Sequence, residues 1–405
     1  MISVSPNTPR KTVALCVSAS IAAYKSAEIA RGLLEHGLRV LPVMTARASE
    51  FLGPATLSGL TGEPVRTDMW DSSFAGEMHV SLARDCDLVI IAPATADLLA
   101  RMASGRADDL VTALSLVFRG TIVVAPAMHP AMWDHPATRR NVEHLARDGR
   151  VTLVGPVDGP VASGESGIGR MASPADIVDA SLAAMSPKDL DQRHVVITAG
   201  PTVEDIDPVR FLTNRSSGTM GFAVARRAAW RGARVTLIAG PTSLPTPPTV
   251  RRVDVRSALD MQAALKSALV DADALVMSAA VSDFRPATRH ANKHKRDRSG
   301  AAPALELVQN PDLLAEVGAQ RTGRRPVLVG FAVETDSDDG MIAQARKKLA
   351  EKRVDLVVVN HAAESLGRPD NRAILVDAHR ADPLPPMSKA ELADRILDRV
   401  HSLIG

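Results

Sequence analysis

Aromatic side chains, cysteines and excess charge of either sign are all scarce in this 405-residue chain. Phe, Trp and Tyr make up only 3% of the residues, too few for the stacking platforms that bind single-stranded nucleic acid. The 48 Lys and Arg residues nearly balance the 46 Asp and Glu residues, and a net charge of +2 argues against a basic nucleic-acid footprint. Two cysteines cannot form a disulfide framework, which fits a reducing cytosol. We therefore expect a cytoplasmic protein with no nucleic-acid or membrane partner.

One apolar stretch near the start of the chain has two interpretations. Residues 12–23 follow Arg10 and Lys11 and have the charge and length of a signal peptide. The same residues also fit a first β-strand that enters a helix, because residues 24–28 continue with helical periodicity. We favour the strand. No window elsewhere has the ~18 or more uninterrupted apolar residues of a membrane span.

Short β-branched runs alternate with longer helical stretches along the whole chain. Near-continuous apolar strands separated by helices are typical of parallel sheets covered on both faces. The predicted fold class is therefore α/β, with two doubly wound, Rossmann-like parallel-sheet domains. Strands are predicted at residues 12–18, 39–44, 88–92, 121–124, 194–198, 234–238, 274–277, 327–329, 355–359 and 373–376. Helices are predicted at residues 22–36, 96–103, 220–230, 258–269, 338–350 and 388–401.

The two halves begin with a similar sequence pattern, which supports two domains. RGLLEHG followed by the strand RVLPVMT in the first half resembles RRAAWRG followed by RVTLIAG in the second. In both, the glycine (Gly37 or Gly232) stands where a helix C-cap needs a left-handed residue. We predict domains at residues 1–185 and 194–405, joined by a polar linker at 186–193. The basic segment 289–299 is predicted to be a mobile loop.

Ligands of open parallel sheets bind at the carboxyl ends of the strands, so the loops there are the candidate sites. Neither half has a GxGxxG fingerprint. The first strand instead leads into Ser18-Ala19-Ser20-Ile21, small residues at a helix start that suit a phosphate, although many ordinary turns look the same. Other strand ends in this half carry Thr45, the run 92–95 and the run 126–133. His79 lies between two predicted strands, where a lone histidine is more often structural than catalytic.

Three first-half motifs together resemble the flavin-dependent cysteine decarboxylases: His79 with its downstream SLA, APATADLLARMASGRADDL at 92–110, and PAMHPAMW at 126–133. The resemblance implies that FMN oxidises a cysteine-derived thiol so that its carboxylate can leave as CO2. It also implies that His79 is the catalytic base or proton shuttle. The FMN-binding residues would be Ser18, Ala19, Ser20, Ile21, Thr45, Ala92, Pro93, Ala94 and Thr95, with Ser104 as a weaker candidate.

Two positions depart from that family pattern. His129 stands where an asparagine grips the substrate carboxylate, and a histidine can still donate a hydrogen bond to it. Ser163, in VASGESGIGRM, stands where a flap cysteine protonates the enethiol intermediate, and a hydroxyl is a far weaker acid than a thiol. Either another group gives the proton or product release is altered. We favour the complete reaction. The alternatives are a regulatory flavoprotein without turnover and an oxidative decarboxylase that releases the enethiol.

The second half has its own polar strand ends. Asn214, Ser216, Ser217 and Gly218 precede a predicted helix, where they fit either a phosphate site or a simple N-cap. Later strand ends and loops add Asp283, Lys293, the run 310–313 and Phe331. Lys348 and Lys352 are four residues apart and share one helix face, which is more often a solvated face than a binding site.

In order, ITAGPT, DPVRFLTNRSSG, AAVSDF, NPDL, GFAVET and a K-x-x-x-K pair resemble the ligase half of the bifunctional coenzyme A biosynthesis family, which fuses this ligase to the decarboxylase. The resemblance implies that CTP and Mg²⁺ activate 4′-phosphopantothenate as an acyl-cytidylate, which cysteine then attacks. Arg210 and Asn214 would bind the acyl group, and Gln309 and Thr219 replace two frequent lysines. No motif identifies the Mg²⁺ ligands, and the resemblance implies a homo-oligomer with sites between subunits. The CTP-binding residues would be Ser216, Ser217, Gly218, Asp283, Lys293, Asn310, Pro311, Asp312, Leu313, Phe331, Lys348 and Lys352.

Overall fold

A computed structural model describes residues 10–293, 304–334, 337–361 and 370–405. The chain divides into two compact units between Ser186 and Pro187. The predicted α/β class with doubly wound parallel sheets is confirmed in both. The segment 186–193, predicted as a linker, packs on the second unit, where Leu190 is fully buried in the core. Of the predicted loop 289–299, residues 294–299 lie outside the described residues, and 289–293 form no helix.

The first unit is built on a five-stranded sheet in the order β2-β1-β3-β4-β5, with every pairing parallel. Val13 of β1 pairs with Val40 on one side and Leu88 on the other, so the 12–17 stretch is an interior strand of the sheet, as favoured from the sequence. Apolar clusters cover both faces of the sheet. A two-stranded antiparallel hairpin, β6–β7, follows the sheet. The strands are β1 Thr12–Val17, β2 Arg39–Met44, β3 Leu88–Ala94, β4 Ile122–Pro126, β5 Val151–Leu153, β6 Val157–Pro160 and β7 Ser166–Arg170.

Helices of the first unit lie between these strands. The helix predicted from residue 22 divides into a 3-10 turn at Ile21–Lys25 and α1, because Ser20 caps the turn by accepting a hydrogen bond from the Ala22 N–H. A second 3-10 turn spans Ala46–Glu50. The α-helices are α1 Ser26–Glu35, α2 Pro54–Thr61, α3 Met78–Asp85, α4 Ala96–Ala103, α5 Leu110–Val117, α6 Pro130–Asp134, α7 Pro136–Arg147 and α8 Pro174–Ala184.

The second unit has an eight-stranded sheet in the order β12-β11-β8-β13-β16-β17-β19-β20. Pairings from β12 to β17 are parallel, whereas β19 and β20 add an antiparallel edge. Three small antiparallel pairs, β9–β10, β14–β15 and β18–β21, stand outside it. The strands are β8 His194–Ala199, β9 Val203–Asp205, β10 Phe211–Thr213, β11 Arg234–Ala239, β12 Arg251–Asp254, β13 Ala274–Met277, β14 Phe284–Pro286, β15 Leu307–Gln309, β16 Val327–Glu334, β17 Leu356–His361, β18 Asp370–Asn371, β19 Ala373–Val376, β20 Ala381–Pro383 and β21 Met387–Ser388.

Helices cover both faces of this second sheet, over two apolar clusters. The last helix packs against the first, and both face the same cluster. No helix in the described ranges is long and apolar enough to cross a membrane. The helices are α9 Thr219–Trp230, α10 Ala258–Ala268, α11 Leu313–Gln320, α12 Asp338–Lys352 and α13 Lys389–Ile404, with a 3-10 turn at Leu269–Asp271.

Candidate active sites

The loops after β1 and β3 are joined by one buried hydroxyl at the carboxyl edge of the first sheet. Ser18 Oγ donates a 2.8 Å hydrogen bond to the carbonyl oxygen of Pro93. It also accepts a 3.2 Å hydrogen bond from the backbone N–H of Thr95. Ser18 is 2% exposed, so its hydroxyl is committed to these two partners. Of the predicted flavin-binding residues, Ser18 thus fixes the segment 92–95 at the end of β3, in which Ala92 and Ala94 are also fully buried.

Other groups at this edge offer what a flavin nucleotide needs. Thr45 follows β2, and its hydroxyl does not cap the 3-10 turn that it precedes. Ser20, next to Ala19, begins the other 3-10 turn, where its hydroxyl accepts a hydrogen bond from the Ala22 N–H, and Ile21 beside it is 61% exposed. Hydroxyls and N–H groups suit an anionic phosphate, and an apolar side chain suits a flavin ring. The residues present therefore fit the implied cofactor.

Two further predicted residues are not joined to those loops by the hydrogen bonds described so far. Ser104 ends α4, and its Oγ donates to the carbonyl oxygen of Ala100 at 3.0 Å. Eight helical residues separate it from Thr95, about 12 Å along the axis. His79 is half-buried on the first turn of α3, a helix that the sequence analysis did not predict there. Met78 beside it is buried, which anchors this helix start in the core.

The flap predicted around Ser163 is the β6–β7 hairpin. Its second strand is held to the loop after β4, because the Met128 N–H donates a 3.0 Å hydrogen bond to the Gly169 carbonyl oxygen. A side chain at Gly169 would overlap the backbone of Met128, so only glycine allows this approach. Burial, and then the charge of Arg170 on the same hairpin, lower the pKa of Lys25. The hairpin therefore lies over the sheet edge that carries the 3-10 turn.

Glu165 on this hairpin connects the two residues that depart from the family pattern. Its Oε2 contacts His129 Nε2 directly, and Ser163 Oγ lies 3.5 Å from the same oxygen. His129 Nδ1 accepts a hydrogen bond from the Ala131 N–H at 3.2 Å, so the proton of the neutral ring belongs on Nε2, facing Glu165. The sequence analysis missed Glu165. Its only sequence signal was a carboxylate two residues after the flap serine.

The two cysteines cannot replace the flap thiol. Cys16 is fully buried in β1, and Cys86 is 8% exposed. Burial, followed by neighbouring negative charges, raises the pKa of Cys16 far above its usual range, and burial raises the pKa of Cys86 to about 12. Both thiols therefore stay protonated and inaccessible.

In the second unit, glycines let α9 begin directly against the end of β8. A Cβ on Gly221 would lie 2.5 Å from Ser278 Oγ and 2.6 Å from Ala199 Cβ. Gly218 is the N-cap, with a left-handed φ of 77°, so no serine side chain caps this helix. Ser216 Oγ instead accepts from the Gly218 N–H at 3.3 Å, and Ser217 Oγ bonds Thr219 Oγ1 at 2.7 Å. The helix start thus presents hydroxyls and N–H groups together, as an anion site requires.

The loop after β10 is tied to the loop after β13. Asn214 Nδ2 donates a 3.0 Å hydrogen bond to the Val281 carbonyl oxygen. Thr213 Oγ1 donates to the Thr202 carbonyl oxygen at 2.8 Å, and Thr202 Oγ1 accepts from the Ser282 N–H at 2.9 Å. Asn214 is exposed, so its side chain is both anchored and accessible.

Asn310 joins the next two predicted segments. Its Nδ2 donates to the Ser282 carbonyl oxygen and its N–H to the Asp283 carbonyl oxygen, each at 2.8 Å. Its Oδ1 accepts a 3.0 Å hydrogen bond from Arg285, a residue that the sequence analysis did not select. Asn310 is 6% exposed, so it holds the position of the Asp283 loop.

The two predicted lysines of α12 are half-buried and bonded rather than solvated. Lys348 Nζ donates a 2.7 Å hydrogen bond to the Phe331 carbonyl oxygen. Lys352 Nζ lies 2.7 Å from Asp312 Oδ2, at the start of α11 where Pro311 and Leu313 flank it. Burial opposes the charge of Asp312, but Lys352 and the Ala315 N–H outweigh it and lower the pKa of this carboxyl.

The remaining second-unit residues are not joined to this cluster by the hydrogen bonds above. Arg210 Nε lies 3.1 Å from the fully buried Asp207 carboxylate, and Lys293 is exposed. Asn360, at the carboxyl end of β17, was not predicted from the sequence: it is 7% exposed, and its Oδ1 has no hydrogen-bond partner among the residues that the structure describes. Within the described residues, no group of three or more His, Cys, Asp or Glu could hold a metal ion.

Family models divide the chain as the fold does. A model described as "Flavoprotein" matches residues 1–186, and one described as "DNA/pantothenate metabolism flavoprotein C-terminal domain" matches residues 190–403. With the two doubly wound sheets, these matches define a two-domain pantothenate-metabolism flavoprotein.

Similar proteins narrow that class. The chain is 42% identical over 392 residues to the Escherichia coli (strain K12) coenzyme A biosynthesis bifunctional protein CoaBC, covering 96% of this chain and 95% of that one. It is 44% identical over 415 residues to the Mycobacterium tuberculosis CoaBC, covering 98% and 97%. A solved C-terminal domain of CoaBC is 35% identical, with a TM-score of 0.46 over 54% of this chain and 98% of that chain.

The chain belongs to the CoaBC family of coenzyme A biosynthesis bifunctional proteins. It is a bifunctional enzyme, with a flavoprotein-type phosphopantothenoylcysteine decarboxylase domain and a phosphopantothenate–cysteine ligase domain. The family and both activities expected from the sequence are thereby confirmed.

Proposed function

We propose that the second unit joins cysteine to 4′-phosphopantothenate through a CTP-derived acyl-cytidylate, and that the first unit then decarboxylates the product to 4′-phosphopantetheine using FMN. The observation that carries the ligase assignment is the linkage of four separate segments by direct contacts. Asn310 bonds the Asp283 loop, Lys348 bonds Phe331, and Lys352 pairs with Asp312. This linked set includes the Asp283 loop, which follows the parallel strand β13, and ligands of such sheets bind beyond the carboxyl ends of the strands.

The ligase reaction has to convert the carboxylate into a group that an amine can attack. A carboxylate is a poor electrophile, so it attacks the α-phosphate of CTP, and the amine of cysteine then displaces CMP. Lys293, Lys348 and Lys352 would neutralise phosphate charge together with Mg²⁺. The N-terminus of α9, with Ser216, Ser217 and Gly218, would bind a phosphate. Arg210 and Asn214 would hold the acyl group, and the anchored, exposed Asn214 amide supports that role.

For the decarboxylase, Thr45, Ser20, Ile21 and the 92–95 loop would hold FMN, which when bound accepts electrons from the substrate sulfur. His79 would move a proton near the substrate thiol. His129 would donate its Nε2–H to the substrate carboxylate, a bond that orients this group before it leaves. The side chain that now occupies this donor is itself a carboxylate, Glu165, which supports the assignment.

Lys348→Gln tests the ligase site. The variant keeps a hydrogen-bond donor but loses the charge, so CMP release should fall by roughly 10- to 100-fold, the equivalent of one charge-assisted hydrogen bond. Lys347→Gln is the matched control, because Lys347 is exposed and pairs only with Glu351 on the same helix. Decarboxylation of supplied 4′-phosphopantothenoylcysteine is the internal control. Equal CMP release from both variants would argue against a nucleotide contact at Lys348.

His79→Asn tests the decarboxylase site. The variant should bind flavin and stay yellow while CO2 release is lost, because the ring no longer transfers a proton. His36→Asn is the control, since His36 is an exposed helix-end residue bonded to the Gly32 carbonyl oxygen. Normal CO2 release from His79→Asn would remove His79 from the reaction.

We also propose that the enzyme acts in the cytoplasm on these small molecules as a homo-oligomer with sites between subunits. Ile21 and Tyr24, beside the proposed flavin loop, are 61% and 55% exposed, and such apolar groups favour contact with a second copy. Light scattering should give a mass that is a multiple of 42.9 kDa. A monomer at micromolar concentration would contradict this.

A further inference from the structure

The Glu165 carboxylate lies beside His129, where the last step of the proposed decarboxylase reaction needs a proton. After CO2 has left, the enethiol R–NH–CH=CH–SH must gain two hydrogens to become R–NH–CH2–CH2–SH. The carbon attached to sulfur takes back the hydride that left the substrate in the first half of the reaction. The other carbon, which lost the carboxylate, needs a proton. Ser163 is too weak an acid for this step, and both cysteines are buried elsewhere in the fold.

We propose that Glu165 supplies this proton and is therefore a catalytic residue of the decarboxylase. The proposal rests on the proposed FMN-dependent reaction and adds the identity of its proton donor. His129 Nε2 is the shared hydrogen-bond donor, which holds the substrate carboxylate first and the Glu165 carboxyl group afterwards. Because Glu165 returns to the place that CO2 has vacated, its acidic proton lies next to the carbon that needs it.

The geometry of the hairpin supports this exchange. Glu165 Oε2 contacts His129 Nε2 in the structure, so the two carboxylates compete for one N–H. Gly169 and the Met128 N–H hold the hairpin over the His129 loop, and Pro130 lies against Gly167 on the other side. Glu165 is thus presented to His129 by backbone contacts that do not involve its own side chain.

Repulsion between two negatively charged carboxylates accounts for the source of this proton. When the substrate carboxylate takes the His129 N–H, two carboxylates face each other, and one proton from solvent is bound between them. The substrate carboxylate then leaves as CO2, while the proton stays on Glu165. The C=C electrons form the new C–H bond with that proton, and Glu165 returns to a carboxylate on His129. The complete cycle consumes one solvent proton. The hydride that left the substrate is returned to it, so the cycle needs no further oxidant or reductant.

Glu165→Gln is the decisive variant, because the amide still bonds His129 but has no acidic proton. It should release CO2 yet shift the product to the enethiol, two hydrogens lighter, with at least a tenfold fall in the thiol-to-enethiol ratio by mass spectrometry. Adding Ser163→Cys to this variant should restore the thiol, since it supplies the thiol acid of the family pattern. Ser163→Ala with Glu165 intact should still give the thiol, and Glu143→Gln, on exposed α7 surface, is the surface control.

A binding measurement tests the same residue without turnover. 4′-Phosphopantothenoylserine keeps the substrate carboxylate but has no thiol to oxidise. Calorimetry in buffers of different ionisation enthalpy should show about one proton taken up per ligand by the wild-type holoenzyme and none by Glu165→Gln. The variant should also bind this ligand several-fold more tightly, because a neutral amide competes for the His129 N–H less strongly than a carboxylate does.

Four results would overturn the role of Glu165: an unchanged thiol product from Glu165→Gln, an enethiol product from Ser163→Ala, failure of Ser163→Cys to rescue, or equal proton uptake by wild type and variant. They differ from a failure of the proposed function, in which the wild-type enzyme would release no CO2 from 4′-phosphopantothenoylcysteine at all.

Discussion

Removing the Ser18 hydroxyl should loosen the carboxyl edge of the first sheet. The Ser18→Ala variant leaves the Thr95 N–H without its acceptor and removes one of two donors to the Pro93 carbonyl oxygen. An unsatisfied backbone group costs ~1–3 kcal/mol, and a lost hydrogen bond to a satisfied group costs ~1 kcal/mol. Together these give about 2–4 kcal/mol of unfolding free energy. For a domain of this size, that corresponds to a fall in Tm of about 4–16 °C.

The assay is differential scanning calorimetry of the full chain, following the transition of the first unit. Ser49→Ala is the matched control, because its exposed hydroxyl donates only to the Ala46 carbonyl oxygen and should cost under about 0.5 kcal/mol. Flavin binding, measured by fluorescence quenching, should be at least about tenfold weaker for Ser18→Ala. Ordering the loosened segment on binding would cost ~1.4 kcal/mol or more of the binding free energy. If Ser18→Ala melted within a degree of Ser49→Ala, the hydroxyl would not be the bridge described here.

The remaining predictions concern packing, charge and thiol reactivity. Gly221→Ala should destabilise the second unit by about 1–3 kcal/mol because its Cβ has no room, whereas Gly59→Ala on open helix surface should be neutral or stabilising, and chemical denaturation compares them. Asp189→Asn should lower stability by about 1.5–3 kcal/mol at pH 7, because Arg231 is buried and loses a bidentate partner. The Arg231 hydrogen bond lowers the pKa of Asp189, so this difference is complete above about pH 4 and disappears as pH falls through the lowered native value. Both cysteines should resist iodoacetamide in the native protein and react after unfolding, as mass spectrometry would show.

Regular apolar strands could be predicted from the sequence, and irregular exposed elements could not. TVALCV and RVTLIA have the continuous apolar pattern of strands buried on both faces, and the structure has them as interior strands of its sheets. The β6–β7 hairpin has exposed residues and two glycines in β7, so it carries no period-2 pattern. The antiparallel edge strand β19 was predicted, but its direction depends on tertiary pairing with β17 that no local pattern encodes.

The candidate sites divide in the same way. Residues directly after parallel strands, such as Thr45 after β2, could be selected because parallel strands end at one edge. Glu165 could not, since its partner His129 is 36 residues away and lies in a different element. Likewise, the family pattern selected Ser18 as a cofactor contact, whereas its burial shows a hydroxyl already satisfied by two backbone groups. Long-range partners therefore decide which polar strand-end residues remain available to a ligand.

Neither unit has a GxGxxG turn, and the connection from the first strand to the first helix is built differently in each. In the first unit, a buried serine hydroxyl joins two strand-end loops, and a 3-10 turn stands between β1 and α1. In the second unit, Gly218 and Gly221 bring α9 against β8 with no side chain between them, so its first-turn N–H groups lie at the sheet edge itself. The first arrangement leaves an exposed apolar side chain beside the turn, and the second leaves the N-terminus of a helix, which favours an anion. Two doubly wound sheets thus support two chemistries through the different loops at the ends of their strands.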